Sequence, residues 1–370
     1  ERLKDPAYRQ GDFVGKNGLE NIYESLLRGK KGYKEVEVDV SGRELKTLRK
    51  LPPESGNNLI LTLDVKIQEE LEKLMTETAE QNINGSVVVM KVQTGEIIAI
   101  TSKPSFDPNK FAAGISSQNW KALVTDEWHP LQNRSIHGQY PPGSTYKIVT
   151  ALAGLEEGVI KPDTSIFCPG HFKLGRGLYR CWKKSGHGFM NLHDALVQSC
   201  DVYFYTIGHR LGIDTIAKYA KRSGLGRPTR LGLSREKKGL VPTTQWKLLN
   251  KNEPWQLGET ISASIGQGFN LVTPIQQVIL MAAVANGGIL LKPYLVKRIE
   301  GPEGQIQKEF LNKNNITTTQ YVSINDLDDI KINDKFIPGL LKTCTLGYDG
   351  KGQYKINNAN DLNNDFDFSK

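Results

Sequence analysis

The first part of the chain shows the polar and apolar patterns of two strands and a helix. Residues 35–40 alternate charged and apolar side chains with a period of two, which predicts a half-exposed strand. Residues 58–63 form a short apolar run that predicts a buried strand, and Asp64 can cap a helix after it. The apolar positions of this helix recur at helical spacing: Ile67, Leu71, Leu74 and Met75.

The middle of the chain combines a predicted hairpin, a predicted loop and a predicted helical region. Residues 86–90 and 97–100 are rich in β-branched side chains and flank Thr94-Gly95, which predicts two central strands joined by a turn. Residues 159–190 show no sustained period and predict a loop. Apolar positions across residues 192–222 predict helix.

The last part contains one clear helix and a tail of different character. Thr273-Pro274 is a helix start signal, apolar positions follow as far as Ala285, and Asn286-Gly287-Gly288 predicts the end. From about residue 311 the chain is rich in Asn, Asp and Lys and has only short apolar runs. This pattern predicts no fold for residues 311–370.

Composition and charge limit the class of protein. A chain of 370 residues with 38% hydrophobic and 24% charged side chains predicts one large globular domain and a smaller piece. The formal net charge of +8 favours an acidic partner, a polyanionic wall or an anionic membrane face. No basic run is interleaved with aromatic residues, so we expect no nucleic-acid partner.

The start of the chain raises the question of a membrane anchor. No apolar run approaches the roughly 20 residues that cross a bilayer, and no signal peptide is present. The sequence opens on Glu1 and not on methionine. We therefore expect that a segment has been removed from the front, and that an anchor was part of it.

The segment Tyr140–Lys147 has the residue types of an activated serine. Ser144 follows Pro141-Pro142-Gly143, which ends any earlier element and places the serine near the free N–H groups of a helix start. Lys147 lies three residues later on the same helix face, so we expect its amine to contact the Ser144 hydroxyl. This arrangement indicates a nucleophile beside a base. The S-x-x-K pattern alone is equally typical of a capped helix with a solvated lysine.

Three cysteines and a histidine are spaced across the predicted loop. Cys168, Cys181, His187 and Cys200 have the residue types of a tetrahedral zinc site, although no close C-x₂₋₄-C pair is present. A Cys168–Cys181 disulfide with a packed Cys200 is an alternative, as are three unrelated reduced thiols.

A second motif makes the serine more specific. Ser199-Cys200-Asp201 lies downstream, and serine acylases of the penicillin-recognising class use S-x-x-K, then S-x-N or S-x-D, then K-T-G or K-S-G. Residues 8–20, 27–32 and 265–268 add further similar segments in the same order. From about residue 8 to about residue 300 the chain resembles the class B penicillin-binding proteins, most closely the penicillin-binding protein 2 group of the rod-shape (elongation) machinery.

The resemblance implies a fold and a domain division. The expected α+β fold is that of the penicillin-recognising serine transpeptidases, a five-stranded, mainly antiparallel sheet sandwiched by helices. Residues 1–52 would be the end of a small non-catalytic pedestal, and residues 53–370 the transpeptidase domain. Within it, residues 311–370 would be a divergent or incomplete C-terminal part.

The resemblance also favours zinc over the disulfide. Some members of the family carry a structural zinc beside the S-x-D motif, held by the loop before it and by the residue between Ser and Asp. The corresponding residues here are Cys181, His187 and Cys200, with Cys168 as the fourth ligand. Zinc would attach this loop to the catalytic helix and fix the aim of Ser199. No organic cofactor is expected.

The implied reaction is peptidoglycan D,D-transpeptidation. Ser144 would attack the penultimate D-Ala carbonyl of a stem peptide, Lys147 would accept the serine proton, and Ser199 would relay a proton to the leaving D-Ala. Asp201 would orient Lys147 or the substrate amide. Three further residues are expected to bind substrate: Gly266, Gln267 and Gly268.

The third motif of the family is not found where the resemblance requires it. The nearest strings are Lys342-Thr343-Cys344, in which cysteine replaces the expected glycine, and Lys351-Gly352. Two other functions therefore stay open: a catalytically impaired penicillin-binding scaffold of the rod-shape complex, and a serine β-lactamase or D,D-carboxypeptidase. The pedestal-like residues 8–42 disfavour the small hydrolases.

The family implies a location and partners as well. The expected location is the periplasmic face of the bacterial inner membrane, reached through the missing N-terminal anchor. The expected partners are peptidoglycan stem peptides, β-lactam antibiotics and rod-shape proteins, including a glycosyltransferase and a periplasmic scaffold.

Overall fold

The computed structural model describes residues 8–9, 12–77, 84–112 and 114–309, and the strand backbone of residues 339–342 and 353–356. The chain forms two compact units, Glu1–Asn314 and Asn315–Lys370. The helices are α1 (Gly18–Ile22), α2 (Glu24–Leu27), α3 (Val65–Glu77), α4 (Asn109–Ala112), α5 (Ser117–Thr125), α6 (Arg134–His137), α7 (Lys147–Glu156), α8 (Leu192–Val197), α9 (Asp201–Leu211), α10 (Ile213–Arg222), α11 (Thr244–Lys251), α12 (Leu257–Ala263) and α13 (Pro274–Ala285). The strands are β1 (Tyr33–Val38), β2 (Glu44–Leu51), β3 (Asn58–Leu61), β4 (Gly85–Met90), β5 (Ile97–Lys103), β6 (Ile166–Cys168), β7 (His171–Leu174), β8 (Gly177–Arg180), β9 (Gly188–Met190), β10 (Val296–Glu300), β11 (Ile306–Glu309), β12 (Gly339–Lys342) and β13 (Gln353–Ile356).

The predicted elements of the first part of the chain are present. The alternating run becomes β1, which pairs antiparallel with β2 in a largely exposed hairpin. The apolar run at 58–63 becomes β3, which is only half-buried, and helix α3 follows Asp64, whose carboxylate accepts the N–H of Lys66. The predicted hairpin around Thr94-Gly95 is β4 paired with β5.

The strands form small sheets instead of the expected five-stranded one. Among the described residues, β11, β10 and β3 make a three-stranded sheet, and β4 and β5 make a separate pair. The two meet through a parallel bridge between Glu96 and Tyr294 and through the Thr62 hydroxyl, which donates to the Ile97 carbonyl at 2.7 Å. The five-stranded sheet does not form there because the described chain supplies no further strand to β4. The remaining strands, β12 and β13, pair with each other in the second unit.

One region differs from its predicted secondary structure. Residues 159–190 are not a loop: they contain the antiparallel pairs β6–β9 and β7–β8, which are too short to show a period in the sequence. Residues 192–222 are helical, as predicted, and are divided into the three helices α8, α9 and α10. The breaks fall at Ser199 and Gly212, whose φ angles are 51° and 74°, outside the helical range.

The core is built around helix α9. Its Tyr203, Phe204 and Ile207 are fully buried and belong to the cluster in which α7, α9 and α10 pack together. A second cluster lies where α13 packs on the β4–β5 pair, with Ile97 and Ile275 fully buried. The α7–α9 packing brings the two sequence motifs together, because α7 begins at Lys147 and α9 begins at Asp201.

In the second unit, the described residues form one pair of strands. β12 and β13 are antiparallel, with Gly339 opposite Ile356. Thr343-Cys344 and Lys351-Gly352, from the candidate third motif, lie outside the described residues. None of the described helices is both long enough and apolar enough to span a membrane.

Candidate active site

Ser144 lies at the mouth of helix α7. It sits in a 3₁₀ turn, Gly143–Tyr146, that runs directly into α7. Gly143 begins the turn with a φ of 58°, a conformation that glycine adopts without steric cost. Ser144 is exposed, whereas Lys147 is 1% exposed and points into the core. The predicted turn-to-helix transition is therefore confirmed, with the serine one turn before the α-helix proper.

The reactive side chains form a hydrogen-bonded relay. Ser199 Oγ lies 2.9 Å from Ser144 Oγ and 2.9 Å from Lys147 Nζ. Lys147 Nζ also donates to the Ser199 carbonyl at 2.8 Å and to Asp201 Oδ1 at 2.7 Å. The expected direct contact between Ser144 and Lys147 is wrong for the described structure, because the lysine turns inward to Asp201. The Ser199 hydroxyl bridges the two instead.

Ser199 is aimed by a helix C-terminal cap. Helix α8 ends in a Schellman motif: the N–H of Ser199 donates to the Leu196 carbonyl at 3.2 Å, and that of Cys200 to the Ala195 carbonyl at 2.9 Å. Ser199 takes the left-handed position of this motif, which glycine usually occupies, with a φ of 51°. A strained non-glycine residue at this position places its hydroxyl between Ser144 and Lys147. The sequence pattern does not reveal this cap, because it lacks the glycine.

Asp201 joins the relay to the loop before helix α8. Its Oδ1 pairs with Lys147, and its Oδ2 accepts the backbone N–H of Trp182 at 3.0 Å. The Trp182 indole N–H donates to the Gln198 carbonyl at 3.0 Å, next to Ser199. Trp182 is 63% exposed, so these contacts and not burial define its place. Trp182 is a site contact that the motif pattern does not identify.

The segment Gly266-Gln267-Gly268 lies beside the serine turn. The Gly266 carbonyl accepts the N–H of Gly143 at 3.1 Å, and Gly266 is buried against it. A Cβ atom on Gly266 would lie 2.3 Å from the Gly143 carbonyl oxygen. Gly266 therefore supports the Ser144 turn. Gln267 and Gly268 are exposed, and their role in substrate binding stays a prediction.

Cys168, Cys181, His187 and Cys200 come together as one cluster. Their ligand atoms all lie within 4.8 Å of one another. His187 Nδ1 lies 3.6 Å from Cys168 Sγ and 3.5 Å from Cys181 Sγ. Ligands at Zn–S and Zn–N bond lengths of about 2.3 and 2.0 Å with tetrahedral angles stand roughly 3.6 Å apart. The three cysteines are free thiols, so the alternative Cys168–Cys181 disulfide is not formed.

The surroundings of the cluster favour a neutral His187 imidazole and a protonated Cys200 thiol. Burial, assisted by the Lys183 charge, lowers the pKa of His187. Burial raises the pKa of the Cys200 thiol to about 12. A divalent cation reverses the second effect, because a coordinating thiol loses its proton to the metal. The three thiols and one imidazole thus fit a structural zinc ion.

The profile of the penicillin-binding protein transpeptidase domain matches residues 85–328, and that of the penicillin-binding protein dimerisation domain matches residues 1–61. The profile of the ATP-grasp domain matches residues 309–370.

Among curated proteins, the chain is 40% identical over 285 residues to the peptidoglycan D,D-transpeptidase MrdA of Escherichia coli K12, covering 76% of this chain and 44% of that protein. The MrdA of Acinetobacter baumannii is 38% identical over 80% of this chain and 43% of its own length. The chain thus spans less than half the length of the curated relatives it matches.

Solved structures of penicillin-binding proteins are similar to this chain as well. The Helicobacter pylori complex of penicillin-binding protein 2 with MreC matches with a TM-score of 0.70 at 36% identity, over 81% of this chain and 55% of that one. A peptidoglycan synthase complex matches with a TM-score of 0.73 at 36% identity, over 85% and 56%. An imipenem acyl-enzyme complex of penicillin-binding protein A from M. tuberculosis matches with a TM-score of 0.62 at 28% identity, over 69% and 58%. The chain has the penicillin-binding transpeptidase fold and belongs to the penicillin-binding protein transpeptidase family.

Proposed function

We propose that this chain is a serine D,D-transpeptidase that cross-links peptidoglycan stem peptides during cell elongation, with Ser144 as the nucleophile. The observation that carries the proposal is the position of Ser199 Oγ, 2.9 Å from both Ser144 Oγ and Lys147 Nζ. A hydroxyl nucleophile connected to a buried amine through a second hydroxyl is an arrangement that can activate a serine for acyl transfer.

Acylation begins when Ser144 Oγ attacks the penultimate D-Ala carbonyl carbon. The serine proton passes to Ser199 Oγ while the Ser199 proton passes to Lys147, which accepts it in its free-amine form; the ammonium paired with Asp201 is the resting form. The backbone N–H of Ser144 stabilises the developing oxyanion. The bond to the terminal D-Ala then breaks, its nitrogen takes a proton through Ser199, and the acyl-enzyme remains. Asp201 holds Lys147 in place throughout.

Deacylation completes the cross-link. The amine of a second stem peptide attacks the acyl carbonyl, loses a proton to the relay and forms the new amide as Ser144 leaves. A β-lactam acylates Ser144 in the same way, but its ring-opened product stays attached, which makes the chain a β-lactam target. The imipenem acyl-enzyme of the M. tuberculosis relative supports this assignment.

A fluorescent penicillin tests the proposal and separates the alternatives. Stable labelling that disappears in Ser144→Ala is the expected result. Fast labelling followed by fast release would instead assign a β-lactamase. No labelling of correctly folded protein would assign a catalytically impaired scaffold of the rod-shape complex.

We also propose that Cys168, Cys181, His187 and Cys200 hold a structural zinc ion. Bound zinc would supply only cross-linking, since it connects strand β6, the loop after β8 and the residue between Ser199 and Asp201. The donor set and the sulfur–nitrogen separations support it. Metal analysis of purified protein should find about one equivalent, lost in Cys200→Ser. A metal-free sample with a Cys168–Cys181 bridge would contradict the proposal.

The location and the partners are further proposals. We place the chain at the periplasmic face of the inner membrane, joined to an N-terminal anchor. MreC binds the H. pylori relative, and another relative belongs to a peptidoglycan synthase complex. A scaffold of the MreC kind and a glycosyltransferase are therefore the proposed partners, to be tested by co-purification.

The domain limits 1–52 and 53–370 are proposed as well, with limited proteolysis as the test.

A further inference from the structure

The loop and hairpin beside the active site concentrate positive charge. Residues 164–193 contain no Asp or Glu. We call residues 171–184 the basic hairpin: it consists of β7, β8 and the loop that follows. All five of its Lys and Arg residues are exposed, and none makes an ion pair within the part of the chain that the structure describes: Lys173, Arg176, Arg180, Lys183 and Lys184.

The inner face of the basic hairpin packs against helix α9. Phe172 and Tyr179 both pack on Tyr205 of α9, with ring centroids 6.3 and 6.0 Å away. The Tyr205 hydroxyl donates to the Arg180 carbonyl at 3.3 Å. The N–H of Cys181 donates to the Gly170 carbonyl at 2.9 Å and closes the base. The outer face, which carries the cations, therefore has a fixed position relative to the relay.

Two of the cations directly follow a residue whose backbone contacts the relay. The backbone N–H of Trp182 donates to Asp201 Oδ2, and Asp201 in turn pairs with Lys147. Lys183 is the next residue, so its Cα lies about 3.8 Å from that of Trp182. Lys184 follows it, and Arg180 precedes Cys181 on β8. A ligand that reaches Ser144 can thus extend over these three positive charges.

We propose that the basic hairpin recognises the carboxylates of the peptide strand that is presented to Ser144, through Arg180, Lys183 and Lys184. This inference rests on the proposed function and deepens it, because it assigns the binding of an acidic peptide to a particular surface. Unpaired like charges on a rigid element repel one another, and an anionic ligand removes that cost. The position beside the relay favours a peptide substrate over a lipid surface, because only the peptide must extend to Ser144.

A direct binding measurement tests the inference without turnover. The probe is a fluorescent synthetic peptide that ends in D-Ala-D-Ala and carries three side-chain carboxylates, compared with the same peptide in which these are amides. Both are titrated into the Ser144→Ala chain of residues 1–370. The triple variant Arg180→Gln, Lys183→Gln and Lys184→Gln should bind the acidic peptide roughly tenfold more weakly and with a smaller dependence on salt. Binding of the amidated peptide should not change.

A matched control removes the same charge elsewhere. Lys121→Gln, Lys221→Gln and Lys251→Gln neutralise three exposed lysines on α5, α10 and α11 and should leave binding of the acidic peptide unchanged. Equal loss in both triple variants, or in neither, would overturn the inference. So would a hairpin-dependent binding of anionic phospholipid vesicles without any binding of the acidic peptide.

The two proposals can fail separately. If fluorescent penicillin labels Ser144 but the hairpin variant binds the acidic peptide normally, the transpeptidase assignment stands and the hairpin inference falls. If the chain takes no penicillin label but still binds the acidic peptide through the hairpin, recognition stands and the proposed chemistry falls.

Discussion

Gly143 and Gly266 hold each other in place across the candidate active site. The Gly143 N–H donates to the Gly266 carbonyl at 3.1 Å, and a Cβ atom on Gly266 would come within 2.3 Å of the Gly143 carbonyl oxygen. The turn that presents Ser144 therefore takes its shape from a distant segment of the chain. Gly266, the first residue of the motif Gly266-Gln267-Gly268, thus acts by supporting the turn that holds Ser144.

Gly266→Ala should destabilise the fold and slow acylation of Ser144. The new methyl group collides with the backbone of Gly143, and alanine at a φ of 74° is strained, so we expect a loss of about 2 kcal/mol or more. Urea unfolding and fluorescent-penicillin labelling measure the two effects. Gly268→Ala is the matched control: its φ is 69° but its nearest neighbour, Ser262 Cβ, is 3.7 Å away, so only the conformational strain of about 1 kcal/mol applies. Equal effects in the two variants would show that the contact with Gly143 does not matter.

Ser199 combines a strained backbone with a functional hydroxyl, and two substitutions separate these properties. Ser199→Ala removes the hydroxyl but leaves a non-glycine residue in the left-handed backbone conformation. Ser199→Gly removes the hydroxyl and also relieves the backbone strain. The glycine variant should be more stable than the alanine variant by about 1 kcal/mol in chemical denaturation. Both should acylate more slowly, on the order of 10²–10⁴-fold, because both lose the bridge between Ser144 and Lys147. Normal acylation in Ser199→Ala would remove Ser199 from the mechanism.

Asp201 is the counter-ion of a buried lysine. The Lys147 side chain is 2% exposed and pairs with Asp201 at 2.7 Å. Asp201→Asn leaves this ammonium without its partner and should cost roughly 3 kcal/mol of unfolding free energy, together with slower acylation. Glu157→Gln, which breaks the exposed pair of Glu157 with Lys218, is the control and should leave stability nearly unchanged. Equal stability of Asp201→Asn and the control would show that Asp201 does not stabilise the buried Lys147.

The acid sensitivity of the fold should depend on Glu72, which joins helix α3 to strand β5. Burial alone would raise the pKa of its carboxyl, but hydrogen bonds from Lys103 and Thr101 outweigh it and hold the pKa below the usual 4.5. A folded-state pKa below the unfolded one stabilises the fold above the unfolded value, and this stability is lost as the pH falls through the folded value. Glu72→Gln should therefore lower stability at pH 7 and flatten its fall below pH 4.5.

The neighbouring Glu69, on the same helix, faces solvent, and Glu69→Gln provides the control. Urea unfolding between pH 3 and pH 7 should show the wild-type slope in the control and a smaller slope in Glu72→Gln. The same slope in all three proteins would contradict this role for Glu72.

The sequence was sufficient to identify the motif residues and most of the long elements, because both depend on local signals. Capping at Asp64 and the Thr273-Pro274 start predict helices α3 and α13, and the Pro-Gly turn places Ser144 at a helix mouth. The cluster of Cys168, Cys181, His187 and Cys200 was also predicted correctly as a group.

Properties that depend on tertiary packing were not predictable from the sequence. The inward turn of Lys147 toward Asp201 follows from how α7 packs on α9, and the short pairs β6–β9 and β7–β8 are stabilised by the core beneath them. The left-handed backbone of Ser199 could not be predicted, because the residue that usually marks such a position in a sequence is glycine. The pairing of β4 with β5 alone, separate from the β11–β10–β3 sheet of the described residues, is a tertiary arrangement that no local pattern shows.

The proposed function depends on a covalent acyl-enzyme at Ser144, which peptide mapping by mass spectrometry detects after treatment with a penicillin. We expect one added penicilloyl group per chain, on the peptide that contains Ser144, and none in Ser144→Ala. A folded protein that gains no adduct, or gains it on another residue, would rule out Ser144 as the nucleophile.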